Sequence, residues 1–174
     1  MTQQAIALGA TYYGLDRLVF SSARNGLYEQ ARNTLEQSCA QTGETAGNCK
    51  GYRVLLLAAT GKKQQAEMLL DQLVLDIENG KHPVGVYTHF ALASLYLEVG
   101  NISKVTDQQK QGLDANDWFP TNVLVFAPGG AKLPEEISTD PEWLAVWADP
   151  RLKDVTSFYR QNLLAWRAGR SSTK

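Results

Sequence analysis

The stretch Gly26-Leu-Tyr-Glu-Gln-Ala31 decides how this chain is interpreted, because it recurs twice further along. The second copy is Gly61-Lys-Lys-Gln-Gln-Ala66, and the third, Gly100-Asn-Ile-Ser-Lys-Val105, has valine in place of alanine. The three glycines are 35 and 39 residues apart, and each lies between two helical patterns. A repeat of this length is typical of stacked helical-repeat proteins. The predicted fold is therefore all-α, an α-α superhelix of about three helical hairpins with a C-terminal helical cap.

Amphipathic patterns on either side of these glycines predict three helical pairs. After a first pattern that ends at Asn25, apolar residues at helical spacing place helices over residues 27–38, 52–60, 62–79, 84–99 and 102–113. Glycine takes a positive φ at no steric cost, so each repeated glycine is expected to turn the chain between antiparallel helices. The alanine five residues later is expected to lie inside, where its small side chain lets the paired helices approach.

The repeated phrase resembles the tetratricopeptide repeat family over about residues 12–114. The shared features are the turn glycine, the alanine, and a large apolar residue four positions after the alanine, here Leu35 or Leu70. Three features depart from the family pattern. Valine stands before two of the glycines where a small residue is expected, and Gln109 takes the large apolar position of the third repeat. The proline that usually closes each repeat is missing. The resemblance implies helical repeats over residues 1–114 that bind a protein or peptide and catalyse no reaction.

The residues after 114 carry different signals and are predicted to cap the repeats within the same domain. Asp140-Pro141 and Asp149-Pro150 each combine a residue favoured at a helix N-cap with proline, which suits the first helical position. A short helix is therefore expected from the first proline, and a longer one from the second proline to Gly169. The predicted organisation is repeats over residues 1–114, then an irregular segment with capping helices over residues 115–174.

The stretch Thr139-Asp-Pro-Glu-Trp-Leu-Ala-Val-Trp-Ala-Asp-Pro-Arg-Leu152 resembles the closing phrase of a subset of bacterial tetratricopeptide proteins. In that subset the repeats follow a DNA-binding winged helix or a nucleotide cyclase domain, and the phrase ends in phenylalanine, which Leu152 replaces here. The resemblance implies that the chain is the C-terminal sensory or docking part of a bacterial transcription or signalling regulator, continuing upstream of Met1. The alternative is a free-standing scaffold or chaperone-like adaptor, which would not continue.

Charge and hydropathy narrow the class of partner. A formal net charge of -1 gives no electrostatic reason to bind nucleic acid or an anionic membrane. The hydrophobic content of 44% is ordinary for a globular protein. No apolar run approaches the roughly 18–20 residues of a membrane span. The N-terminus lacks the positive charge of a secretory signal before Arg17. The partner that the resemblance to helical repeats implies, a protein or peptide, is therefore the one expected.

Cys39 and Cys49 are the two cysteines, and they lie at the ends of one polar loop. A disulfide between them would close a small loop and favour an oxidising compartment such as the periplasm, which requires an upstream targeting or membrane segment. The alternative is two reduced thiols in the cytoplasm. Two cysteines with no nearby histidine are an incomplete zinc set, so no metal site is expected.

Matching the chain to the repeat pattern predicts a binding groove on the concave face, where the first helix of each pair lies. The residues expected to line it are mostly aromatic and uncharged: Tyr13, Asp16, Phe20, Leu55, Tyr87, Phe90 and Ser94. Such a groove suits an apolar peptide or helix or, as a further alternative, a small molecule. The competing interpretation is that the helix starting at Pro150 fills the groove as a solenoid cap.

No arrangement of side chains in the sequence indicates catalysis, so no catalytic residue and no cofactor are assigned. Glu135, Glu136 and Asp140 are expected to be solvated or to cap the helix that follows them. A homodimer would be supported by exposed tryptophans, the candidates being Trp118, Trp143 and Trp147.

Overall fold

The computed structural model describes residues 22, 25–43, 49–81, 88–115, 124, 127 and 130–171. Within these ranges the chain forms eight α-helices and one short 3-10 helix, and no strand. The chain divides into two compact units, Met1–Val84 (unit 1) and Gly85–Lys174 (unit 2). The all-α class expected from the sequence is confirmed. The superhelical arrangement of the hairpins and the organisation around residue 114 stay predictions.

Unit 1 contains the helices α1 (Tyr28–Thr42), α2 (Cys49–Ala59) and α3 (Lys63–Glu78). The middle helix, α2, contacts both of the others. Each helix contributes a fully buried side chain to the core: Leu35, Val54 and Leu70. Cys39 in the last turn of α1 and Cys49 at the start of α2 are joined by a disulfide, with their Cα atoms 6.0 Å apart. The disulfide therefore closes the loop between α1 and α2.

Unit 2 begins with a helical hairpin formed by α4 (Thr88–Val99) and α5 (Ile102–Asp114). It continues with α6 (Pro134–Ile137), α7 (Pro141–Trp147), a 3-10 helix (Pro150–Leu152) and α8 (Lys153–Ser171). The short helix α7 contacts both α5 and α6. Trp143 of α7 is fully buried and Trp147 is 7% exposed, so α7 contributes two large side chains to the core of this unit.

The three repeated glycines adopt the same turn. Gly26, Gly61 and Gly100 have φ angles of 74°, 80° and 85°, a region that glycine enters without steric cost. The N–H that follows each glycine donates to the carbonyl five residues earlier: Leu27 to Ser22 (2.8 Å), Lys62 to Leu57 (2.8 Å) and Asn101 to Tyr96 (3.0 Å). This bond closes a Schellman cap. The positive φ expected at these turns is confirmed.

The residue five positions after each turn glycine is buried in all three copies. Ala31, Ala66 and Val105 are fully buried. Their N–H groups donate to the carbonyl of the residue after the glycine, at 3.0, 3.0 and 3.1 Å. Around Gly61 and Gly100, where both helices of the pair are described, the sequence repeat therefore corresponds to a repeated local structure.

Asp140 and Asp149 cap the helices that follow them, which confirms the expectation from the two Asp-Pro steps. Oδ1 of Asp140 accepts from the N–H groups of Glu142 (2.8 Å) and Trp143 (3.1 Å). Oδ1 of Asp149 accepts from the N–H of Arg151 at 2.8 Å. Arg151 Nη1 in turn donates to the Leu113 carbonyl at the end of α5 (3.1 Å), so the second cap also joins the 3-10 helix to the hairpin.

The last helix differs from the prediction at both ends. Its first turn is the separate 3-10 helix Pro150–Leu152, and α8 continues through Gly169 to Ser171. Gly169 keeps a helical backbone, with open space where a Cβ would lie. A glycine inside an exposed helix costs only about 1 kcal/mol. Since no turn is required there, it does not end the helix.

Candidate functional site

A cleft of about 260 Å³ lies between α6, α7 and α8 of unit 2. Its walls are largely apolar, formed by Leu124, Leu133, Pro134, Leu144, Trp147 and Ala148. The remaining lining is more polar, formed by Glu135, Thr156, Ser157, Tyr159 and Arg160. Apolar walls with a small number of polar groups are the usual composition of a binding site in a protein.

The polar edge of the cleft is the ion pair between Arg160 of α8 and Glu135 of α6. Arg160 Nη1 and Nη2 donate to Glu135 Oε1 and Oε2 at 2.6 and 2.8 Å, a parallel pair of hydrogen bonds. These bonds lower the pKa of the Glu135 carboxyl and raise the pKa of Arg160. The side chains of Arg160 and Glu135 are 46% and 43% exposed, so the ion pair contributes little to the stability of the fold. Its main effect is to fix the positions of the two side chains at the edge of the cleft.

Two tryptophans of α7 lie next to each other, and one of them, Trp147, lines the cleft. Trp143 and Trp147 meet edge to face, with ring centroids 5.3 Å apart and planes at 68°. Trp143 Nε1 donates to the Pro134 carbonyl at 2.9 Å, which joins α7 to α6. Trp147 Nε1 is buried and has no acceptor within the part of the chain that the structure describes. A buried N–H donor without an acceptor lowers the free energy of unfolding by about 1–3 kcal/mol.

Contacts with residues 131–136 hold α8 beside the cleft. The Tyr159 hydroxyl donates to the Lys132 carbonyl at 3.0 Å. Arg167 Nη1 and Nη2 donate to the two carboxylate oxygens of Glu136 at 2.7 and 2.9 Å. The hydrogen bonds from Arg167 are the largest cause of a Glu136 pKa lowered to about 2. The position of α8, and with it one side of the cleft, therefore depends on these contacts.

Of the residues expected to line a concave groove, the structure describes the side chains of two. Leu55 of α2 is 5% exposed, so its side chain belongs to the core of unit 1. Ser94 of α4 is partly exposed in unit 2. The Phe90 backbone lies in α4, but its side chain falls outside the described residues, as do Tyr13, Asp16, Phe20 and Tyr87. The groove stays a prediction.

The expectation of exposed tryptophans is wrong for Trp143 and Trp147. They are 0% and 7% exposed and cannot supply a dimer surface, while Trp118 lies outside the described residues. Their one-turn spacing places both on the buried side of α7, and Glu142 and Ala145 take the exposed side.

Sequence reasoning did not find the cleft. Arg160 and Glu135 are 25 residues apart, and no local pattern pairs them. The available signal was a concentration of aromatic side chains with polar atoms, Trp143, Trp147 and Tyr159, in a segment expected only to cap the repeats.

The described residues hold no group of three or more His, Cys, Asp or Glu side chains that could bind a metal ion. None of their helices is both long enough and apolar enough to cross a membrane. Comparison of the chain with protein-family models, with curated proteins and with solved structures found no match. The resemblance to tetratricopeptide repeats therefore rests on the residues quoted above and stays a prediction.

Proposed function

We propose that this chain is a non-enzymatic protein-interaction module that binds a large apolar side chain of a partner protein in the cleft of unit 2. The size and lining of the cleft carry this proposal. Its volume of about 260 Å³ lies below the roughly 300–1,000 Å³ typical of small-molecule sites. It suits one side chain of leucine or phenylalanine size. Single buried anchors of this kind often dominate the binding energy of protein interfaces.

The rim of the cleft supports an extended contact along α8. Arg160 uses two of the five N–H donors of its guanidinium on Glu135, and Ser157 is exposed one turn earlier. Leu164 follows Arg160 by one helical turn and is 48% exposed, so apolar surface continues on the same side of α8. A partner segment whose side chain enters the cleft would therefore lie along α8, with its polar backbone groups near Ser157 and Arg160.

The wider setting of this module rests on other features. The resemblance of Thr139–Leu152 to the end of bacterial regulators supports a docking role in a signalling or transcription protein, with a free-standing adaptor as the alternative. The buried disulfide between Cys39 and Cys49 supports an oxidising compartment such as the periplasm.

Peptide display on the full chain tests the proposal. A random-peptide library is selected on the wild type, and the enriched peptides are measured against Ala148→Phe and Ala145→Phe. Ala148 lines the cleft, whereas Ala145 is exposed on α7 and does not line it. The two variants make the same chemical change three residues apart, so they form a matched pair.

We expect the enriched peptides to share a large apolar residue. They should bind Ala145→Phe as they bind the wild type, and bind Ala148→Phe at least about tenfold more weakly, because the new ring occupies the space of the anchor. Equal binding to both variants would contradict the proposal, and so would a failure to enrich any peptide with such a residue.

A further inference from the structure

The cleft of unit 2 carries one positive and one negative side chain next to each other at its edge. Arg160 and Glu135 both line the cleft, and each side chain is nearly half exposed. Both Nη atoms of Arg160 donate to the Glu135 carboxylate, at 2.6 and 2.8 Å. The cleft therefore offers a ligand two opposite charges beside a largely apolar interior.

Both members of the ion pair keep hydrogen-bonding capacity for a ligand. Arg160 uses two of the five N–H donors of its guanidinium on Glu135, and no other residue that the structure describes accepts from it. A carboxylate has about four lone-pair sites, and Arg160 takes two of those on Glu135. Ser157 precedes Arg160 by one turn of α8, lines the same cleft and is exposed. A ligand at this edge can therefore accept from Arg160 and Ser157 while it donates to Glu135.

The head group of a free α-amino acid matches this arrangement of charges. Its ammonium nitrogen and its carboxylate carbon are about 2.5 Å apart across Cα, so one head group can contact both members of the ion pair. The carboxylate would face Arg160 and the ammonium would face Glu135, so that each charge lies beside an opposite one. A residue inside a peptide chain has neither charge, because both groups are amides. Charge complementarity therefore favours a free amino acid at this edge.

The interior of the cleft determines which amino acids fit. Its volume of about 260 Å³ holds a single side chain of leucine or phenylalanine size, and the Trp147 ring forms part of the wall. A charged side chain would lose its hydration against these apolar walls without gaining a partner. The matching ligands are therefore amino acids with a large apolar side chain.

We propose that the cleft of unit 2 binds a free apolar α-amino acid, with its carboxylate on Arg160 and Ser157 and its ammonium on Glu135. This inference rests on the proposed function, because the same interior must accept an apolar side chain. The amino acid and the anchor of a partner protein would occupy the same space and compete for it. The concentration of the free amino acid would therefore regulate how much partner the chain holds.

An NMR titration of the full chain with four ligands that share one side chain tests this proposal. L-phenylalanine has both charges, N-acetyl-phenylalanine has the carboxylate only, phenylalaninamide has the ammonium only, and N-acetyl-phenylalaninamide has neither. The indole N–H resonance of Trp147, in the cleft wall, reports binding. Ion pairs at a partly exposed edge strengthen binding modestly. We expect L-phenylalanine to bind at least about fivefold more tightly than the uncharged ligand, with the singly charged ligands between them.

Two variants assign the two charges. Arg160→Gln should weaken the binding of N-acetyl-phenylalanine but not that of phenylalaninamide, and Glu135→Gln should do the reverse. N-acetyl-phenylalaninamide should bind both variants as it binds the wild type, which shows that the cleft is intact. The matched control is Arg53→Gln, since Arg53 makes a similar pair of hydrogen bonds to Glu36 in unit 1 and does not line the cleft. This control should bind all four ligands like the wild type.

The titration separates this proposal from the proposed function. The proposal is overturned if L-phenylalanine binds no more tightly than N-acetyl-phenylalaninamide, or no more tightly than one of the singly charged ligands. If the uncharged ligand still shifts Trp147 in that case, the cleft accepts an apolar side chain and only the amino-acid site is ruled out. If none of the four ligands shifts Trp147, both proposals fail.

Discussion

At the scale of single residues, Glu136 shows how one carboxylate fixes the position of α8. It accepts from both Nη atoms of Arg167, 31 residues away, and from the Leu133 N–H at 2.7 Å. The hydrogen bonds from Arg167, and then that from Leu133, lower the pKa of Glu136 from 4.5 to about 2. The folded chain thus favours the ionised form. The resulting stabilisation is fully present above about pH 4.5 and is lost as the pH falls towards 2.

We predict that acid destabilises the wild type more than Glu136→Gln. Glutamine keeps the shape of the side chain but does not titrate, so the variant lacks the stabilisation that acid removes. Glu136 is partly exposed, so solvent screening keeps the difference modest. Thermal unfolding midpoints measured from about pH 6 to about pH 3 should fall more steeply for the wild type. Parallel pH profiles for the two proteins would show that Glu136 does not have this role.

At the scale of the elements, α7 depends on its N-cap. The helix has seven residues, too few to be stable alone, and the Asp140 carboxylate satisfies the N–H groups of Glu142 and Trp143. We predict that Asp140→Ala lowers the free energy of unfolding by about 1 kcal/mol. Asp140→Asn keeps an oxygen acceptor and should lose less. Denaturant titration measures both, and equal losses would argue that the cap is not the cause.

Local signals explain which elements could be predicted. The turn glycines and the Asp-Pro steps act within a few residues, so the hairpins around Gly61 and Gly100 and the start of α7 follow from the sequence. Glycine often ends a helix, which is why Gly169 was expected to do so. α8 continues through it because the fold requires no turn there. The burial of Trp143 and Trp147 was missed, because it depends on α5 and α6, which no local pattern pairs with α7.

At the scale of the whole molecule, the candidate site is built by contacts between distant residues. Arg160 binds Glu135 over 25 residues, and the Tyr159 hydroxyl reaches the Lys132 carbonyl over 27. From the sequence alone, such charged side chains are expected to be solvated at the surface. The repeat pattern predicts a binding site elsewhere, in a concave groove. The cleft follows from the packing of α8 on residues 131–136, which spacing and composition do not encode.

The disulfide of unit 1 gives a prediction for the stability of the chain. Cys39 and Cys49 are ten residues apart, and constraining the unfolded chain over such a loop contributes about 2–3 kcal/mol. We predict that the double variant Cys39→Ala, Cys49→Ala loses about this much free energy of unfolding. Denaturant titration of the oxidised wild type and the variant measures the loss. Wild type treated with reductant should also lose stability, and no change in either case would contradict a stabilising disulfide.

Whether the cleft of unit 2 binds an apolar side chain is tested most directly by an NMR titration of the full chain with N-acetyl-phenylalaninamide. The chain has four tryptophans, and the indole N–H resonance of Trp147 reports on the cleft wall. We predict a saturable shift of this resonance with a dissociation constant on the order of millimolar, kept in Ala145→Phe and lost in Ala148→Phe. No shift of Trp147, or the same shift in all three proteins, would contradict binding in the cleft.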